Sequence, residues 1–306
     1  MTIRIDSRVV LAKIESSYGT DSVPTNTANA VRLMNVKESL FEGDAVETEE
    51  LGLGMGSNPK DLVGRYGVIE FDVELQSSGT LGTAPAMGPI LRACGLAETI
   101  SAGVSVAYTP VSASFEAVSF YYFSGNNKAA FVGGRGDAQL VYERNKKAKA
   151  HFKLWGLFSS QGNASQPTPT LTAWKRALYC TKANTTYSVD SAAVVANTLT
   201  FSLGNQCKYL ERMGRQEITI DDRKPAFQTT IEDVNISTKD WRGLVNSSTS
   251  AALSHQLGAT DGSIVLLTAG ACQLQPLADD KDGVDTMLNM NWNVLRGSPD
   301  FTLTFK

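Results

Sequence analysis

Histidine occurs only twice in 306 residues, at His151 and His255, and cysteine only four times. Neither histidine stands in an H-E-x-x-H, Cys/His or nucleophile-elbow context, so each reads as a solvated or hydrogen-bonded side chain. Cys94, Cys180, Cys207 and Cys272 are scattered without a C-x-x-C pair. Their spacing suggests no disulfide framework, and buried free thiols are expected. Long apolar runs are missing as well. Arg4, Asp6, Arg8 and Lys13 break up the stretch MTIRIDSRVVLAKIESSYG, so no signal-peptide core fits there. No other run is long enough to cross a bilayer, and a cytosolic fold is expected. There is no excess of positive charge: the net value of −3 gives no basis for tight, nonspecific nucleic-acid binding. Helical signals are few, confined to Met87–Cys94 and Thr238–Asn246.

What fills the chain instead is strand chemistry. FEAVSFYYF (115–123), AQLVYER (138–144), AKAHFKLWGLF (148–158), TLTFSL (198–203), QEITI (216–220) and SIVLL (263–267) are rich in β-branched and aromatic residues. Between such segments lie SGNNK, GGRGD, GATDG and DDKDG, which read as turns. With 42% hydrophobic and 19% charged residues, the composition is globular, and the fold class is all-β. The polar stretch SSQGNASQPTPTLTAW (159–174) has a linker composition. It divides the chain into residues 1–160 and 175–306, joined by 161–174.

The two halves read as copies. In VIEFDVEL (68–75), strand alternation puts Phe71, Val73 and Leu75 on one face and Glu70, Asp72 and Glu74 on the other. Arg65 precedes Glu70 by the interval at which Arg223 precedes Gln228, which matches Gln228, Thr230 and Glu232 to the carboxylate row. Each half then continues with a short helix, further strands and a closing strand. The closing strands carry Lys149, His151 and Lys153 in one half and Asn289, Asn291 and Asn293 in the other, with Phe152 and Leu154 answering to Trp292 and Val294.

The halves differ in one connection. ESLFEGDAVETEELGLGMGSNP contains Glu38, Glu42, Asp44, Glu47, Glu49 and Glu50 and no basic residue, followed by Gly52, Gly54 and Gly56. It predicts a flexible, acidic, extended loop over 42–64, longer by roughly ten residues than its counterpart and long enough to suggest a function.

Several motifs resemble sites without completing them. GLGMGSNPK lacks the phosphate-loop spacing. DDKDGVDTMLN has Ala278 and Asn289 where a calcium loop needs carboxylates. The Arg135-Gly136-Asp137 tripeptide reads as a tight turn. Alternate carboxylates on one strand stand about 7 Å apart, within glycosidase range. The second half, however, replaces two of the three acids by Gln228 and Thr230. A different use is electrostatic: Lys147, Lys149, His151 and Lys153 would pair with the acids if their strands are neighbours, at about 0.2–1 kcal/mol per pair.

ESSYGTDSVPT, FEGDAVETEELGLGMGSNPKDLVGRYGVIEFDVEL, GTAPAMGPILRACGL and YTPVSASFEAVSFYYF, taken in order, resemble the major tail tube proteins of long, non-contractile-tailed bacteriophages. LGNQCKYLERMGRQEITIDDRKPAFQTTIE and TKDW resemble members with a duplicated tube domain. None of these segments is catalytic; their joint order carries the likeness.

The resemblance implies a virion protein assembled in the host bacterial cytoplasm. It implies two tandem β-sandwich domains, each with a flanking helix, whose inner sheets join into a β-barrel around a lumen that DNA crosses without specific binding. Trimers with pseudo-sixfold symmetry would stack into a tube and meet tape-measure, terminator and tail-tip proteins. No cofactor, metal, membrane or enzymatic reaction is implied. Glu70, Asp72, Glu74, Gln228, Thr230 and Glu232 would face the lumen. Glu42, Asp44, Glu47, Glu49, Glu50, Gly52, Gly54 and Gly56 would belong to the contact between rings. A tail terminator, a capsid decoration protein and a carbohydrate-binding β-sandwich are the alternatives.

Overall fold

The computed structural model describes residues 8–49 and 55–306; Glu50, Gly52 and Gly54 of the predicted contact segment lie outside the described residues. The protein is mostly β. The first half contains β1 (Arg8–Ile14), β2 (Ala30–Val31), β3 (Met34–Glu47), β4 (Lys60–Glu74), α1 (Gly88–Ala93), β5 (Leu96–Ser101), β6 (Ser105–Pro110), β7 (Val118–Ser124), β8 (Asn127–Glu143) and β9 (Lys149–Asn163). The second contains β10 (Thr185–Val189), β11 (Ala192–Ala193), β12 (Ala196–Ser202), β13 (Asn205–Arg212), β14 (Arg215–Arg223), β15 (Ala226–Glu232), α2 (Trp241–Ser247), β16 (Ser250–Leu257), β17 (Val265–Leu274), β18 (Ala278–Asp282), β19 (Asp285–Val294) and β20 (Phe301–Phe305).

Both helices lie where the sequence predicts them. Pro89 presets the first turn of α1, Ile90 and Leu91 fill the core, and Gly95 ends the helix at φ 75°. Asp240 caps α2 by accepting from the Gly243 N–H at 2.7 Å, and the Trp241 side chain is buried.

Three sequence expectations need correction. GGRGD is not a turn but the bulged middle of β8, whose register against β9 shifts between Val132 and Arg135. Gly133 takes φ 61° there and donates its N–H to Glu15 at 2.7 Å, while a Cβ on Gly136 would lie 2.3 Å from the Lys153 carbonyl oxygen. Close backbone approach uses the same residue as a turn does. The polar stretch after residue 158 begins as strand, because β9 pairs with β8 out to Asn163. Its far end is docked rather than free: Trp174 is buried and donates Nε1–H to the Ala30 carbonyl at 2.8 Å.

The third correction concerns 42–64, which is largely an antiparallel hairpin. β3 and β4 pair from Met34↔Asp72 out to Glu47↔Lys60, with bulges beside Glu42 that bend the arm. Nor do all the acids from Glu38 to Glu49 lack cations: Arg8 meets Glu38 at 2.8 Å and Lys60 meets Glu47 at 3.0 Å. β13 and β14 form the corresponding hairpin of the second half.

The principal hydrophobic core is one cluster shared by both halves, including Phe71, Phe120, Phe152, Phe201, Phe227 and Trp292. In each half it contains a cross-strand aromatic pair, Phe71↔Phe152 between β4 and β9 and Phe227↔Trp292 between β15 and β19.

Candidate functional site

Strand pairing joins the halves edge to edge. β3 pairs with β4, β4 with β9, and β9 with β8. β8 then pairs with β12 of the second half through Gln139↔Ser202, Val141↔Thr200 and Glu143↔Thr198. From there β12 pairs with β15, β15 with β19, and β19 with β18. Eight strands thus run in sequence through both halves.

Directly opposed residues share a face, so one cross-strand row can be followed across the molecule. It reads Glu74, Lys149, Val141, Thr200, Gln228 and Asn291. The structure therefore puts Glu70, Asp72, Glu74, Gln228, Thr230 and Glu232 on one face of one sheet. No sequence signal marks the β8–β12 junction, since its strands lie more than fifty residues apart.

The first half of this face is ion-paired. Glu70 meets Lys153 at 2.8 Å, Asp72 meets His151 Nδ1 at 2.7 Å and Lys149 at 4.0 Å, and Glu74 meets Lys147 at 2.7 Å. Asn35 donates to Asp72 at 2.8 Å, and the Ala177 N–H donates to Glu74 at 3.0 Å. The Lys153 ammonium, hydrogen-bonded to Glu70, holds that carboxyl below its ordinary value against the opposing effect of burial. Burial pushes Glu74 upward, but the Lys147 and Ala177 hydrogen bonds outweigh it and the net shift is down. A general acid requires the opposite displacement, so these two carboxyls are poorly suited to protonate a leaving group at neutral pH.

The second half meets water mainly with amides and hydroxyls, alongside the carboxylates Glu232 and Asp280. Thr230 donates its hydroxyl to Asn289 Oδ1 at 2.7 Å, and Asn289 donates to Asp280 at 3.0 Å. Gln228 and Glu232 are exposed. Aligning the ladders on their aromatic pairs sets Asp72 against Gln228 and Glu74 against Thr230. That is two residues from the match drawn from sequence. Alternation of period two looks the same after a two-residue slip, and only the pairing partner fixes it.

His255 departs from its expected setting. It is 5% exposed, lies 4.2 Å from the Tyr142 ring centroid, and its Nδ1 has no hydrogen-bond partner. Burial lowers its pKa to about 4. It lines a groove between the halves with Tyr142, Tyr187 and Leu199.

The two hairpin arms are placed differently. β13–β14 lies on the first half: Arg135 donates to the Ile218 carbonyl at 2.8 Å, and the Ile218 N–H donates to Tyr18 Oη at 2.6 Å. Asp137 accepts the Asn205 N–H at 2.9 Å, so both charged residues of GGRGD serve this docking. The β3–β4 arm touches β13 through the Tyr66–Tyr209 ring pair, 5.0 Å between centroids. Phe41 is partly exposed beside Phe158, 5.3 Å between ring centroids, and further out the arm exposes Val46, Met55, Leu62 and Val63.

Among the described residues no group of three or more His, Cys, Asp or Glu side chains could hold a metal ion, and no helix is long and apolar enough to cross a membrane. No family model matches the chain, and no curated protein matches it.

Proposed function

We propose that this chain is a tail-tube subunit of a long, non-contractile-tailed bacteriophage, a structural virion protein that polymerises into stacked rings around a DNA conduit. In this reading residues 1–160 and 175–306 are two tandem β-sandwich domains from a duplication, linked by 161–174, and three chains form each pseudo-sixfold ring. The order of tube-like segments in the sequence suggests it. The observation that carries it is the continuous sheet that passes through both halves and presents one hydrated face.

That face suits a conduit for reasons beyond simple repulsion. A surface that held DNA would neutralise phosphates with free cations, each adding affinity. Here Lys147 and Lys153 are each engaged by a carboxylate at under 3 Å. The second half offers amides and hydroxyls together with the carboxylates Glu232 and Asp280, none of which is a cation. Either chemistry keeps water on the face without gripping the cargo. The β3–β4 arm, with its exposed Phe41, Val46 and Met55, supplies apolar surface for the contact between rings.

Electron microscopy of the purified protein tests the proposal. Hollow tubes of uniform width are expected; monomers or discrete rings at every concentration would overturn it. Replacing residues 44–63 by a two-residue turn should leave a folded chain that forms no tubes, and normal tubes from that variant would remove the arm from the contact.

A further inference from the structure

A cavity of about 80 Å³ lies where the two halves and the segment between them meet. Gln76, Ser77 and Gly79 wall it just beyond the end of β4. Lys175 and Arg176 come from the connecting segment, and Gly262 from the turn between β16 and β17. Backbone holds these walls together: the Gly79 N–H donates to the Gly262 carbonyl at 3.0 Å. Both glycines have positive φ, 87° and 85°, and a Cβ on Gly262 would lie 2.7 Å from the Gly79 carbonyl oxygen. The Lys175 side chain crosses Gly79, its Cε 3.2 Å from where a Cβ would stand.

Two needs meet at this cavity. Gln76 is 6% exposed, and neither its amide oxygen nor its amide nitrogen has a hydrogen-bond partner. A buried amide in that state carries the full cost of its lost water. Exchanging the oxygen and nitrogen leaves the same need for one donor and one acceptor. The second need is charge. Lys175 and Arg176 are exposed, and among the described residues neither has an ion-pair partner. Arg32 donates to the Lys175 carbonyl at 3.4 Å, which keeps a third cation close. Among the described residues no carboxylate lines the cavity, and the neighbouring Glu74 is engaged by Lys147 and the Ala177 N–H.

We propose that this cavity binds a hydrogen phosphate group. Near neutral pH inorganic phosphate keeps at least one P–OH beside its charged oxygens. The hydroxyl donates to Gln76 Oε1, and a neighbouring phosphate oxygen accepts from Nε2–H. Sulfate and the phosphodiesters of DNA have no such hydroxyl. Water can meet the amide but leaves the cations unanswered. The terminal torsion of glutamine is soft, so the amide turns towards the anion without moving the backbone. Lys175 and Arg176 supply charge from the solvent side, the guanidinium as a planar fork that matches phosphate. The anion ties the end of β4 in the first half to the β16–β17 turn of the second, and so stabilises the folded chain. The site does not depend on assembly.

Thermal melting near neutral pH, with ionic strength held constant by sodium chloride, tests the proposal. Inorganic phosphate about tenfold above its dissociation constant should raise the melting temperature by about 2–4 °C. Sulfate and dimethyl phosphate should raise it far less. Gln76→Met removes the amide and nearly keeps the volume; it should abolish the phosphate response without lowering the melting temperature measured in phosphate-free buffer. Lys175→Ala/Arg176→Ala alters exposed side chains only, and should weaken phosphate about tenfold by titration calorimetry. If Gln76→Met fails to fold, the double variant decides alone. Equal shifts with phosphate and sulfate, or an undiminished phosphate response in the variants, would overturn the site as a general salt effect. No shift in the parent protein at any phosphate concentration would leave the cavity to water and overturn it too. AMP separates the sources: a response to phosphate alone marks the free ion, an equal response to AMP marks a phosphomonoester, and either upholds the site.

Discussion

The ladders β4–β9 and β15–β19 solve the same problem with different chemistry. Each buries an aromatic pair on one face and meets water on the other. The first uses charge, pairing Glu70 with Lys153 and Glu74 with Lys147. The second uses neutral hydrogen bonds such as Thr230 to Asn289. What the two share is the apolar pair beneath and the hydrated face above; cross-ladder ion pairs belong to the first, while the second carries Glu232 among its amides and hydroxyls. The first half should therefore respond to acid and salt through this face more strongly than the second.

The largest expected effect lies under the face. Phe71→Ala and Phe227→Ala should each cost about 3–5 kcal/mol, as loss of a buried aromatic side chain does. Because one hydrophobic cluster spans both halves, each variant should shift a single denaturation transition rather than split it. A two-step denaturant curve in which only the mutated half moves would break the comparison at its base.

Next in size is acid sensitivity from His255 in the second half. Its folded pKa is about 4 against an ordinary 6.5, so the stability it contributes is fully present above pH 6.5 and declines as pH falls towards 4. The loss over that window should be about 3 kcal/mol, at 1.36 kcal/mol per pKa unit. His255→Phe should flatten this part of a melting-temperature profile. The half without a charged ladder would then be the more acid-sensitive above pH 4, through its core rather than its face.

Lys147→Met should cost about 1–3 kcal/mol at pH 7, since Glu74 loses a charged donor while remaining mostly covered. Glu70 and Glu74 have lowered folded pKa values, so their contribution is present above the ordinary carboxylate value of 4.5 and is lost as pH falls through the folded value. The variant's deficit should accordingly shrink in strong acid, as measured by urea denaturation at several pH values. Thr230→Val comes last, at about 1 kcal/mol or less, because it removes only the neutral hydrogen bond to Asn289, and its cost should be insensitive to added salt. A salt-dependent loss there would erase the distinction between the ladders.

The two faces of each strand could be read from the sequence because alternation of period two is a local property. VIEFDVEL put Phe71 inward and Glu70 outward with no knowledge of its neighbours. The partners of those acids could not be read with the same certainty, because Lys153 lies more than eighty residues away and strand order is not local. The glycines of GGRGD misled for a chemical reason: a turn and a close strand crossing both require a missing Cβ. The 42–64 segment misled because bulges and exposed faces weaken alternation, leaving a paired arm that resembles a loop. The β8–β12 junction had no signal at all, as backbone pairing at an edge asks little of side-chain identity.

If copies assemble as proposed, that junction also bears on how assembly responds to dilution. Its two strands are joined by residues 144–195 of the same chain, so they meet at an effective concentration on the order of millimolar, fixed by that connection and not by how much protein is present. Joints between separate copies enjoy no such tether and must be drawn from solution. Covalent fusion of the halves thus makes one joint in each chain independent of supply. The remaining joints alone would set the threshold at which growth begins.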